Sequence, residues 1–232
     1  MSNVSAAQAE NYYDKDDYYT QDLETEDDQP QTRWVGKGAK ALGLTGEVQS
    51  SIFKQLLKGE GPNGQAIHAR KIDLAKHRAG TDYTFSAPKS VSIAGLIQQD
   101  WRVLPAHDRA VETALAVLEE RYAQTRVRTP TGRERVCTGN VVAAVFRHET
   151  SRAQDPQLHS HCVVINTTQM ADGSWRSLSN EEIVANQKLL GEIYQNELAY
   201  QLRQCGYAIE PRENGQFEIQ GYEPELLEIF ST

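Results

Sequence analysis

A mainly antiparallel sheet with helices on one face, an α+β fold, follows from three features of this 232-residue chain. Two long stretches carry apolar residues at helical spacing. The segments between them are rich in Val, Ile and Phe on both faces. Turn dipeptides separate those segments from one another. Along the chain, "SSIFKQLLKGEG" places Ile52, Phe53, Leu56 and Leu57 on one stripe and then Gly59, an amphipathic helix with a glycine stop. "TDYTFSAPKSVSIAGLI" begins as a strand through Tyr83 and Phe85, and Pro88 suits the first turn of a following helix. From Pro105 to about Thr125, Val111, Leu115, Leu118 and Tyr122 share a helical face, which predicts a long helix packed on a flat surface. "RVRTPTGRERV" reads as two basic strands around a Thr-Pro-Thr-Gly turn. "TGNVVAAVFRHE" and "LHSHCVVINTTQM" have the two-sided apolar pattern of central strands, and "ADGSWRSL" adds an Asp-Gly turn into a further strand. A second long helix is predicted from Glu181 to Gln204, with Ser179 and Glu182 spaced as a capping box and Gly206 just past its end. "YAIEPRENGQFEIQGY" closes the chain with an Asn-Gly hairpin. No internal repeat is present.

Charge is distributed unevenly. The net charge of −8 is nearly all carried by residues 14–28, where eight carboxylates stand against the single Lys15. Residues 14–30 are accordingly expected to form an acidic flexible loop within a single domain spanning 1–232. The remainder is close to neutral and holds basic patches at His68 to Arg78 and Arg126 to Val136, so phosphate binding is not excluded. No run of about eighteen apolar residues occurs, and the first thirty residues have neither a basic start nor an apolar middle, so a cytoplasmic protein without membrane insertion is expected. Cys137, Cys162 and Cys205 are scattered, which suggests neither a disulfide framework nor a cysteine zinc site.

The chemistry-bearing stretch is "FRHETSRAQDPQLHSHCVVIN". His159 and His161 are two apart on a predicted strand and so project from one face, and His148 lies on the preceding strand. If the two strands pair as a hairpin, the three imidazoles converge. Neutral imidazoles leave a divalent metal's charge uncompensated and its remaining positions open to substrate oxygens, which suits polarisation of phosphoryl groups. By affinity imidazole favours late metals such as Zn, Ni or Co, whereas Mg or Mn is what a cell has available. A metal-bound histidine needs its second nitrogen held, and Asp82 is the preferred carboxylate, with Asp155 nearer in sequence. His68, His77 and His107 are left outside the site.

Four phenols stand in "NYYDKDDYYTQD" near the amino terminus. That stretch, followed by "WVGKGAKALGLTGEV", "DYTFSAPKSVS" and "TGNVVAAVFRHETSRAQDPQLHSHCVVIN", resembles the relaxase domain of the MobF family, conjugative DNA-nicking enzymes of the HUH endonuclease superfamily. The likeness covers essentially the whole chain. It implies a ferredoxin-like, five-stranded antiparallel sheet with helices on one face. It further implies that Tyr12 attacks a single-stranded phosphodiester at a transfer origin, leaving a covalent 5′-phosphotyrosine, and that Tyr18 performs a later strand transfer. Here Tyr12 and Tyr18 are only six apart, and Tyr19 is the alternative within the second pair; Tyr13 and Tyr19 are read as packing or reserve positions. Under the resemblance His148, His159 and His161 hold the metal, Asp82 orients a ligating histidine, and Arg152 contacts phosphate. The implied partners are single-stranded origin DNA with an adjacent hairpin, relaxosome accessory proteins and a type IV secretion coupling protein, and the protein would accompany DNA into the recipient cell. Relatives usually continue into a helicase motor, but no Gly-x-x-x-x-Gly-Lys-Ser/Thr occurs here, so no helicase domain is expected in this chain. They also carry closing helices beyond this length, which would leave a fragment with weak DNA affinity. Two other readings share the histidine strand: a rolling-circle replication initiator, whose tyrosines generally follow the histidines, and a non-catalytic metal-containing DNA-binding module.

Overall fold

The computed structural model describes residues 2–5, 31–67, 78–151 and 153–230. Tyr12, Tyr13, Tyr18, Tyr19, the acidic stretch 14–30, Arg152 and most of the patch from His68 lie outside the described residues.

The sheet has five strands in the order β1-β3-β7-β6-β2, formed by β1 (Ser2–Ser5), β2 (Thr32–Val35), β3 (Arg78–Ser86), β6 (Ala143–Thr150) and β7 (Pro156–Ile165). β1 runs antiparallel to β3 with Ser2 opposite Asp82, and β2 runs antiparallel to β6 with Thr32 opposite Phe146. The central strands are the Val-rich segments, which can be buried on both faces, while the short β1 and β2 take the edges. β6 and β7 are joined by a tight turn in which Ser151 N–H donates to Asp155 O at 2.8 Å and Ser151 Oγ accepts from Asp155 N–H at 3.1 Å. Asp155 is thus a turn residue.

Two compact units share these strands. The first comprises Met1–Tyr83, Val117–Phe146 and His161–Ala185. Its core joins β2, helix α1 (Lys37–Ala41) and helix α2 (Ser50–Leu57), with Phe53 edge-on to Phe146 at 5.3 Å and Leu56, Leu57, Val142, Ala144, Val163 and Ile165 buried around it. α2 ends at the foreseen glycine, Gly59, with φ +80°. The stretch "WVGKG" is fixed by close approach. Gly36 has φ +109°, and a Cβ there would meet Val141 O at 2.2 Å. Beside it the buried Glu119 accepts from Lys37 N–H at 2.6 Å and Val141 N–H at 2.9 Å. This unit also holds the ribbon β4 (Gln124–Thr129) and β5 (Gly132–Cys137), the short pair β8 (Thr168–Gln169) and β9 (Trp175–Arg176), and helix α5 (Glu181–Ala185). Gly173 turns between β8 and β9 with φ +82°, as the Asp-Gly dipeptide foretells.

The second unit comprises Thr84–Ala116, Arg147–Ser160 and Asn186–Thr232. Helix α3 (Lys89–Ser92) is N-capped by Pro88 and passes into a π-helical turn, Ile93–Ile97. Helix α4 (Val103–Val117) likewise widens to π geometry over Leu118–Tyr122, where it enters the first unit. Its buried face holds Val103, Ala106, Ala110, Val111, Ala114 and Leu115. The predicted helix 181–204 is two helices: α5 stops at Ala185, and α6 (Gln187–Gln204) restarts after Asn186, which adopts φ −106°, ψ 14°. The capping-box residues are engaged elsewhere, Ser179 N–H with Gln124 O at 2.8 Å and Glu182 with Arg135 at 3.2 Å. Gly206 ends α6 with φ +91°, and the final hairpin β10 (Ile209–Pro211) and β11 (Phe217–Ile219) turns through Asn214 and Gly215, both at positive φ. Helix α7 (Pro224–Ile229) follows. No helix among the described residues is long and apolar enough to cross a membrane.

Candidate metal centre and nucleic-acid interface

His148 sits near the end of β6 and His159 near the start of β7, and the tight turn between these strands sets them side by side. Their rings are stacked, 5.4 Å between centroids and 22° between planes, and both residues are buried. His159 Nδ1 donates to Gln157 O at 2.9 Å. His161, two residues on and therefore on the same side of β7, donates from Nδ1 to Asp82 Oδ2 at 2.7 Å. Asp82 lies on β3, the strand beside β7 in the sheet, and is itself buried.

These two contacts assign tautomers. A backbone carbonyl and a carboxylate only accept, so Nδ1 carries the proton in each ring and the lone pair resides on Nε2. Metal-ligating histidines have this form, with the second nitrogen tied to an oxygen that orients the ring. Among the described residues no group of three His, Cys, Asp or Glu side chains is gathered as a metal cage: the histidines stand as one stacked pair and one carboxylate-held ring.

The ribbon β4–β5 carries the second basic patch. Its register sets Arg126 opposite Arg135 and Arg128 opposite Arg133, and the two-residue alternation puts all four on one face. Arg126 pairs with Glu181 and Arg135 with Glu182, both from α5. Arg128 and Arg133 are exposed and make no ion pair among the described residues. Like charges directly opposite on a strand pair are unfavourable in isolation, and the arrangement suits a polyanion.

Sequence reasoning passed over a buried polar group in the second unit. His107, Ser160, Tyr194 and Arg147 are all enclosed there, with Asp108 paired to Arg147. A signal existed: Ser160 interrupts the apolar face of a central strand, and His107 falls four residues after Val103 and four before Val111 on the buried stripe of α4.

A five-stranded sheet whose middle strand presents His-x-His beside a cross-strand histidine is the arrangement of the HUH endonuclease class. Comparison with known proteins carries the assignment further. The family model for the TrwC relaxase matches residues 6–232, and the chain belongs to that family. It is 43% identical, over 234 aligned positions covering 96% of its length, to the multifunctional conjugation protein TraI of Escherichia coli, of which it spans only 13%. It is also similar to a metal-bound structure of the conjugative relaxase TrwC in complex with OriT DNA, at 39% identity and a TM-score of 0.87, covering all of this chain and 78% of that one. A third likeness, at 38% identity and the same TM-score over 99% of this chain and 77% of the other, is to TrwC complexed with a 27-mer DNA comprising the recognition hairpin and the cleavage site.

Proposed function

We propose that this chain is the DNA-nicking domain of a conjugative relaxase, cutting one strand at a plasmid transfer origin through a covalent phosphotyrosine and able to rejoin it. The observation that carries this reading is the tautomer lock on His159 and His161, because an imidazole whose Nδ1–H is tied to an oxygen presents Nε2 in the form that ligates a metal. Family membership, the metal-bound and DNA-bound relatives and the arginine face of β4–β5 support it.

In this reading His148, His159 and His161 would hold one divalent metal, magnesium or manganese, which would supply positive charge against the scissile phosphate. Asp82 fixes the orientation of His161. Tyr12 forms a bond from its phenolic oxygen to phosphorus while the bond from phosphorus to the 3′ oxygen breaks. The phenol's proton is lost and the departing oxygen leaves as a 3′-hydroxyl, so one phosphodiester replaces another and the step runs in either direction. Tyr18 serves the second transfer, with Tyr13 and Tyr19 in reserve, and Arg152 contacts phosphate. Single-stranded origin DNA supplies the reacting strand, and the arginine face of the ribbon meets the adjacent hairpin duplex. The domain works in the bacterial cytoplasm with accessory proteins and a coupling protein, and crosses to the recipient with its DNA.

Incubation with a transfer-origin single strand and magnesium or manganese should yield a covalent adduct with the 5′ end created by the nick. Tyr12→Phe should abolish that adduct and leave DNA affinity within about twofold. His159→Ala with His161→Ala should remove metal uptake and cleavage together. Absence of an adduct with every divalent metal tried defeats the reading, and loss of the adduct in Tyr18→Phe rather than Tyr12→Phe reverses the order of the tyrosines.

A further inference from the structure

Ser160 separates His159 from His161 and therefore points to the other side of β7. It is fully buried, and its Oγ lies 2.8 Å from His107 Nε2. His107, on α4, is also fully enclosed, and its Nδ1 is 2.8 Å from Tyr194 Oη on α6. The Tyr194 ring in turn packs on Phe85 of β3 at 5.3 Å. The next residue of α4, Asp108, accepts from Arg147 Nη1 at 2.7 Å. The Arg147 side chain is wholly buried, and Arg147 immediately precedes His148 on β6.

Two consecutive residues of one helix thus hold the two histidine-bearing strands: His107 grips β7 between its two histidines, and Asp108 grips β6 beside the third. An apolar set of similar volume would serve the core at least as well, since buried hydroxyl, imidazole and guanidinium groups give up hydration that their hydrogen bonds only roughly restore. What an apolar set lacks is direction. Each hydrogen bond fixes one atom against another, so the pair of contacts sets the backbone positions from which His148 and His159 project on the other side of their strands.

We propose that His107, Ser160 and Tyr194, together with the Asp108–Arg147 pair, are positioning residues for the metal histidines, holding the spacing of β6 and β7 from behind. This rests on the metal reading above, with the network acting through the strands and touching neither metal nor DNA.

The test is cobalt binding to the whole chain, followed by visible absorption, with thermal unfolding of the metal-free protein measured in parallel. Ser160→Ala and Tyr194→Phe each delete one hydroxyl. Each is expected to weaken cobalt binding about ten- to a hundredfold and to shift the cobalt absorption bands, the range found when groups supporting metal ligands are lost. Ser160→Thr keeps a hydroxyl and should restore both. An apolar replacement of the His107 contacts, His107→Leu with Ser160→Ala and Tyr194→Phe, should unfold no earlier than the parent and still bind cobalt weakly. A folded triple variant with parental cobalt affinity and spectrum overturns the proposal, and so does weakened binding that merely follows lost thermal stability across the set. A parent chain whose cobalt binding survives His159→Ala with His161→Ala refutes the metal reading itself, which is a distinct result.

Discussion

Asp82 shows how far single residues could be read. It lies on β3, next to the edge strand β1, and its Oδ2 is 2.7 Å from His161 Nδ1, whereas Asp155 gives its backbone N–H and carbonyl to the β6–β7 turn. Asp155 is only six residues from His161, whereas Asp82, the carboxylate the sequence reading preferred, is reached through strand pairing. His107, left outside the site by its helical context, is enclosed by the packing of α4. Gly36 is the residue on which the edge of the first unit turns. Because its φ is +109° and a Cβ would stand 2.2 Å from Val141 O, Gly36→Ala should cost roughly 3 kcal/mol, from backbone strain and overlap together. For a chain of this size that corresponds to a fall in Tm of about 6–12 °C, readable by calorimetry.

At the scale of elements, hairpins were the most legible features, since Asp-Gly and Asn-Gly dipeptides specify local φ values that no distant contact has to supply. Both turned where foreseen, at Gly173 and at Asn214–Gly215. The helix from 181 to 204 was misread as continuous because apolar spacing persists through it, while Asn186 leaves helical geometry and the two pieces fall into different compact units. The ribbon β4–β5 was legible as two basic strands, but its register was not. Only the pairing of Arg126 with Arg135 and of Arg128 with Arg133 puts four guanidinium groups on one face. Arg126 and Arg135 are partly neutralised by Glu181 and Glu182, which leaves Arg128 and Arg133 as the exposed charges of that face without an ion pair among the described residues. Replacing both by Ala should weaken binding to a transfer-origin hairpin and reduce the slope of log K against log salt by about 2, or about 0.9 per phosphate contact. An unchanged slope would remove the ribbon from the interface.

Over the whole molecule, each compact unit holds a tyrosine whose proton the fold retains. Burial pushes Tyr83 up to about 12; burial, then a hydrogen bond to Asp100, does the same for Tyr207. Both values lie above the unfolded value near 10, so the folded state binds more protons in that interval. Their contribution to stability is complete below about pH 10 and is lost as pH rises towards 12. Thermal unfolding between pH 9 and 12 should therefore show a falling midpoint, with Tyr83→Phe and Tyr207→Phe each flattening the fall. The chain's own residues determined the fold class, the turns, the histidine strand and the family, because these depend on periodicity, on dipeptide conformations and on motif order. Tertiary structure alone decided which arginines face outward together, and that His107 and Asp108 reach the reverse side of the histidine strands. Those outcomes rest on strand register and helix packing, where residues tens of positions apart meet within hydrogen-bond distance, and no local spacing encodes such a meeting.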